Sequence, residues 1–152
     1  MDNKVILKPS VLEDVFQLET SLRTEDIREL AAIGSNPSKA LLKGFIYSND
    51  CVSVWAKNKV IGMFGVSSWG LPKGFATIWF LGSDDLFNYP VTFVKEGIKY
   101  VNKNLQKYDI LFNAVDARNT HCIKWLKKIG MNISNSMFIN GYEFIQFFKV
   151  RS

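Results

Sequence analysis

The sequence predicts one mixed α/β domain, residues 1–152, in which antiparallel strands precede a parallel pair. Three observations carry this. Hydrophobic residues make up 47% of the 152 and charged residues 22%, the composition of an ordinary globular domain large enough to close one core. The apolar period changes at about residue 51, from helical spacing before it to runs of strand length after it. Finally, residues 75–115 read strand, helix, strand at a spacing that demands a right-handed crossover between parallel neighbours.

The elements follow in order. VILKP (5–9) is short, rich in strand formers and closed by a proline, as suits a first strand. Ser10 and Glu13 match a capping box, and Leu12, Val15, Phe16 and Glu19 continue a first helix. TEDIRELAAIG is a second helix, with Thr24 as the expected cap, Glu25 and Asp26 in its first turn and Gly34 as its stop. NPSKALLKGFIYS restarts a third helix at Pro37, where the missing N–H costs nothing. CVSVWAKNKVIGMFGVSSW reads as two strands joined by a tight turn at residues 57–59. FATIWFLG (75–82) is a continuously apolar strand, the pattern of a strand buried on both faces. In NYPVTFVKEGIKYVNKNL, residues Val91, Val94, Ile98, Val101 and Leu105 form one helical stripe that starts at Pro90. YDILFNAV (108–115) is a second buried strand. Two closing strands, around MFI and YEFIQFFKV, meet at an Asn140–Gly141 hairpin turn.

Bulk properties exclude several classes. No apolar run approaches the ~20 residues of a membrane span, and MDNKVILKPS lacks the apolar centre of an export signal, so a cytoplasmic protein is expected. Two cysteines, Cys51 and Cys122, are then expected as reduced thiols. With one histidine and no Cys/His cluster, no metal site is expected. The formal charge of +5 would suit a nucleotide or nucleic acid, but the lysines are scattered and fit a solvated surface better.

The stretch VDARNTHCIKWLKKIGM (115–131) holds the densest set of candidates. Asn119 fits a helix N-cap, Cys122, Ile123, Leu126 and Ile129 an inward face, and Gly130 the closing position. Asp116, Arg118 and Asn119 stand where a parallel strand feeds a helix, the edge at which α/β sheets bind ligands. They read either as a cap with a surface ion pair or as a substrate-binding group. Asn113 sits inside an apolar strand and must find partners there, structural or ligand. His121 reads as a surface residue or a proton carrier, and Cys122 as an inert buried thiol or a nucleophile. Asp84 and Asp85 read as caps for the next helix, or one of them as a base that takes the proton of an ammonium substrate. The four tryptophans Trp55, Trp69, Trp79 and Trp125 read as core aromatics.

This order of elements, with Asn119, Ile123, Lys128, Ile129, Gly130 and Met131 in register, resembles the GNAT superfamily of acyl-CoA-dependent N-acetyltransferases. IWFLGSDD and LFNAVDARN…WLKKIG further resemble the GNAT-like proteins of short-tailed bacteriophages, some known as internal virion protein A. The resemblance implies a splayed parallel pair that admits the pantetheine arm of acetyl-CoA. Peptide groups at Phe80, Leu81 and Gly82, aided by Asn113 and Asn119, would bind the cofactor, and Asp116 and Arg118 the substrate. Asp84 and His121 would be the catalytic candidates. It also implies an amine acceptor, in a small molecule or a protein, and residence in an infected host cell or a virion.

Two family features are missing. The glycine-rich loop that holds the CoA pyrophosphate is replaced by GSDDLFNYPV, with Asp84 and Asp85 where a phosphate would dock and Pro90 lacking a donor. The position of the usual general-acid tyrosine holds Leu126, beside Trp125, leaving Tyr89 and Tyr142 as the free phenols. The resemblance therefore supports two functions: an acetyl-CoA-dependent N-acetyltransferase, or a degenerate GNAT-shaped phage protein that binds a host or virion partner.

Overall fold

The protein is described by a computed structural model over residues 4–152; the first three residues of the stretch read for an export signal lie outside it. The chain runs β1 (Val5–Pro9), α1 (Leu12–Leu18), α2 (Thr24–Ala32), α3 (Pro37–Tyr47), β2 (Asp50–Ala56), β3 (Lys59–Ser67) and β4 (Phe75–Gly82). A 3-10 turn (Asp84–Asn88) leads into α4 (Pro90–Leu105), β5 (Ile110–Asp116), α5 (Thr120–Lys128), β6 (Asn132–Ile139) and β7 (Tyr142–Val150). All seven strands form one sheet in the order β1-β2-β3-β4-β5-β7-β6. Neighbours pair antiparallel except β4 and β5, which are parallel as the crossover through α4 requires. The mixed α/β class and the parallel pair predicted from sequence are those observed.

Turn chemistry sets the register. Lys57 and Asn58 (φ 50° and 62°) join β2 to β3, and Asn140 and Gly141 (φ 52° and 82°) join β7 to β6. Left-handed conformations at both central residues give the turn whose twist matches that of the strands it connects. Pro37 and Pro90 occupy the first positions of α3 and α4, and Gly34 and Gly130 close α2 and α5 with positive φ.

Two apolar clusters lie on opposite faces of the sheet. Helices α4 and α5 cover Ile61, Phe64, Ile78, Leu111 and Val115 with Tyr100, Val101 and Leu126. Helices α1 to α3 cover Met63 and Leu81 with Val15, Leu18, Leu30 and Leu41. Gly44 on α3 lies directly against the indole of Trp79, whose N–H donates to Ser48 Oγ at 2.8 Å.

Several local expectations change. The capping carboxylate of α1 is Asp14, which accepts from Val11 N (3.0 Å), while Ser10 Oγ bonds Ser53 Oγ; Ser10 and Glu13 form no box. Arg23, not Thr24, occupies the N-cap position of α2, and Thr24 is its first helical residue. On α4 the buried face is Gly97, Tyr100, Val101, Asn104 and Leu105; Val91 is 72% exposed and Ile98 39%. The buried face lies one row aside from the apolar stripe, because Gly97 and Asn104 carry no apolar signal. β4 is not buried throughout: Phe75 is exposed and Trp79 and Phe80 are half-buried. The β6 strand is longer than MFI, starting at Asn132.

Candidate active site

The site begins where β4 and β5 part. Their ladder holds for Phe75, Ala76 and Thr77 against Ile110, Leu111 and Phe112, and then stops. Beyond it the two strands diverge, and a cavity of about 330 Å³ passes through the fork, lined from both faces of the sheet.

A fork strands the peptide groups that a ladder would have paired, and buried peptide groups need partners. Here the protein's own side chains and neighbouring main-chain groups satisfy several of them. Asn113 bridges the fork: its Nδ2 donates to Ile78 O at 2.9 Å and its Oδ1 accepts from Ala114 N at 2.8 Å. Glu29 Oε1 accepts from Asp116 N at 2.7 Å. At the far end of β4, Asp26 Oδ2 accepts from Gly82 N at 3.0 Å, and Gly82 O accepts from Arg23 N at 2.9 Å. Gly82 therefore turns its peptide groups away from β3. In an antiparallel pair these orientations alternate, so Phe80, two residues earlier, also turns its N–H and C=O into the fork, whereas Leu81 is bonded to β3. Of the three β4 positions expected to offer peptide groups, Phe80 alone presents them to open space.

Arg23, Asp26 and Glu29 lie one turn apart along α2, so one face of the helix delivers all three to the fork. Arg23 Nη2 donates to Asp26 Oδ1 at 2.9 Å and to Asn119 Oδ1 at 3.0 Å, and Asn119 Nδ2 reaches Asp26 Oδ1 at 3.4 Å. All three of those residues are buried. Asn119 holds the N-cap position of α5 without capping it; its side chain ties the helix to α2 instead.

Glu29 differs from its neighbours. Burial in the cavity wall pushes its carboxyl up to about 7, the charges of Asp26 and Asp116 add to the rise, and the hydrogen bonds from Asp116 N and Asn119 oppose it. A carboxyl that titrates near neutrality in a cleft can both take and hold a proton. Asp116, by contrast, is held below the usual carboxylate range, chiefly by the side chain of Arg118 (Nη2 to Oδ2, 2.6 Å).

The remaining sequence candidates divide. Asn113, Phe80, Leu81 and Cys122 line the main cavity. Asp116 and Arg118 form an ion pair and line neither cavity, and the Arg118 guanidinium lies 4.9 Å from the Tyr142 ring centroid. Asp84 is exposed and lines neither cavity. Asp85 pairs with Lys59 at 3.0 Å, so its charge is turned onto the β2–β3 hairpin. His121 is exposed and stacks on Phe87, 4.9 Å between centroids. Tyr89 lines the main cavity, Tyr142 does not, and Leu126 is buried core. Burial raises the Cys122 thiol, so it is protonated and a poor nucleophile. The sequence reading missed Arg23, Asp26 and Glu29, whose three-residue spacing from the N-cap into a helix that also carries Leu30 was the available signal.

A second cavity of about 200 Å³ opens between the start of α4 and the outer face of α5, with Pro90, His121, Lys124 and Lys128 on its wall. Phe80, Phe93 and Trp125 separate the two cavities, with centroids 4.9 to 5.4 Å apart.

No protein-family model matches this sequence, and no curated protein does. Solved structures do. A Streptococcus mutans protein, smu.2055, superposes with TM-score 0.75 at 16% identity, over 97% of this chain and 99% of its own. A GNAT-family acetyltransferase from Bacillus anthracis gives 0.69 at 14% identity, over 97% and 95%. The fold is the GNAT fold. Spermidine N-acetyltransferase from Vibrio cholerae, in complex with CoA and spermine, gives 0.65 at 12% identity over 99% and 97%. Among the described residues no helix is long and apolar enough to cross a membrane.

Proposed function

We propose that this protein is an acetyl-CoA-dependent N-acetyltransferase whose general base is Glu29. The observation that carries the reading is the juxtaposition, in one fork, of the Phe80 peptide group and a carboxyl titrating near 7. The fit to acetyl-CoA is good at the acyl end and altered at the phosphate end. The fork offers a slot into which the Phe80 peptide groups are turned. The absent glycine-rich loop is offset by the start of α4 and by Lys124 and Lys128, which line the second cavity. Asp85 does not oppose a phosphate there, because Lys59 holds it.

Acetyl-CoA supplies an activated acyl group. The chain's own residues supply the rest. The Phe80 N–H faces the position where negative charge would develop on an acyl oxygen, which stabilises that charge without reorganisation. Glu29, ionised, takes the proton that an ammonium must lose before its nitrogen can attack. Asn113 keeps the fork from closing by satisfying both strands at once. Tyr89 is the phenol placed in the cavity wall to return a proton to a leaving sulfur. Asp116 positions Glu29 through its N–H, and Arg118 holds Asp116 in turn. Asp84 and His121 take no part in the fork.

The bacteriophage affiliation rests on the sequence resemblance alone. The alternative of a degenerate protein that binds a host or virion partner starts from the two missing family features. One observation favours that alternative: the Phe80, Phe93 and Trp125 rings stand between the two cavities, across the path a pantetheine arm would take. Calorimetric titration with acetyl-CoA separates the two. Wild type is expected to bind with micromolar affinity. Ala114→Phe, which fills the fork from the β5 side, is expected to lose binding while staying folded by circular dichroism. Absence of heat at millimolar acetyl-CoA in folded wild type would remove the enzyme reading.

A further inference from the structure

The half of the main cavity on the α2/α3 side is where an acceptor would sit, and its wall is almost entirely apolar. Leu30, Ile33, Ala40, Trp79, Leu81 and Phe144 line it. Among the described residues the one charged side chain lining this half is Glu29. The carboxylates around it are engaged: Asp26 by Arg23, Asn119 and the Gly82 N–H, and Asp116 by Arg118. Arg28 adds a further positive charge close enough to act on Asp116. Across the sheet, Glu96 lines the α4 half and lies 3.7 Å from Lys99.

From this we propose that the acceptor is an apolar primary amine with a single cationic nitrogen, an aliphatic or arylalkyl monoamine, and not a polyamine. The inference rests on the acetyl-transfer reading of the fork and narrows it. One carboxylate can accompany one ammonium. A second or third ammonium on the same molecule would be pressed against Leu30, Leu81 and Phe144 without a counter-ion, and an unpaired charge in an apolar wall is strongly disfavoured. The net charge of +5 disfavours the approach of polycations. An alkyl or aryl tail, in contrast, gains from the same wall: each buried methylene strengthens binding roughly fourfold. The spermine-bound Vibrio cholerae enzyme shares the fold. Here the charge distribution on the acceptor side selects a different amine.

The test is a homologous series. Thiol release from acetyl-CoA is measured with ethylamine, butylamine, hexylamine, phenethylamine and spermidine, and binding of the same amines is measured separately by calorimetry without acetyl-CoA. The expected result is a kcat/KM that rises by roughly fourfold per methylene from ethylamine to hexylamine, with spermidine below hexylamine. Ile33→Asp places a second carboxylate at the cavity mouth, where Ile33 is 45% exposed, and is expected to raise kcat/KM for spermidine roughly fivefold without helping hexylamine. A flat series, or spermidine preferred over hexylamine by wild type, overturns the inference while leaving acetyl transfer intact. Should no amine release thiol while hexylamine still binds in a chain-length-dependent and Glu29-dependent manner, acetyl transfer falls and the monoamine site stands. Failure of every amine to bind overturns the inference.

Discussion

At the scale of single residues, Glu29 carries the strongest consequences. Its carboxyl is raised from 4.5 to about 7 in the folded chain, so between those values the folded state holds a proton that the unfolded state has lost. Stability is therefore highest below about pH 4.5 as far as this group is concerned, and declines as the pH rises through 7. The difference is on the order of 3 kcal/mol. Glu29→Gln keeps an acceptor for Asp116 N and removes the charge. The variant is expected to melt several degrees above wild type at pH 8 and close to it at pH 5, by thermal denaturation at both values; equal melting at pH 8 would mean that the carboxyl is not perturbed. Asn119 teaches the companion lesson. Its place before an apolar helix was legible, and the capping role that usually follows was not fulfilled, because a buried Arg23–Asp26 pair 96 and 93 residues away in sequence claims its amide. No local pattern announces a partner that distant.

At the scale of elements, the sequence was most informative where chemistry is local. Prolines at helix starts, glycines at helix ends and residues 57–58 and 140–141 at hairpins announce themselves, because one or two residues decide the backbone there. The buried face of α4 was harder. Gly97 and Asn104 belong to it for reasons visible only in three dimensions: a Cβ on Gly97 would stand 2.8 Å from Trp125 and from Ile129, and Asn104 Nδ2 donates to Tyr100 O within the helix. Helix α3 shows the same kind of constraint. Gly44→Ala would gain about 1 kcal/mol of helix propensity, yet the new methyl would meet the Trp79 ring at 2.5 Å. Overpacking of this kind costs about 1–3 kcal/mol, so the variant is expected to be destabilised in urea. A stabilised Gly44→Ala protein would show that α3 can move off the sheet, and that the acceptor half of the cavity is softer than its contacts imply.

At the scale of the whole molecule, the topology does the positioning. A parallel pair inside an otherwise antiparallel sheet is the one junction where a chain must leave and return through a crossover, and here the two strands part after three residue pairs. The order of elements made that junction predictable, and with it the region of the site. Which side chains meet there was not predictable, because Glu29 comes from a helix 81 to 87 residues upstream of β5 and its neighbour α5 contributes an amide instead of an acid. Asp84 and His121 lie beside the fork in sequence but are exposed, Asp84 lining neither cavity and His121 only the second. In the proposed mechanism this fork joins an oxyanion-stabilising peptide group to a carboxyl poised near neutrality. That mechanism is tested most directly by the pH dependence of acetyl transfer to hexylamine, followed as thiol release from pH 5.5 to 9 in wild type and Glu29→Gln. The account predicts that wild-type kcat/KM rises with an apparent pKa of about 7 and that the variant is slower by about 100-fold with that inflection gone. A Glu29→Gln enzyme that keeps both the rate and the inflection would contradict it.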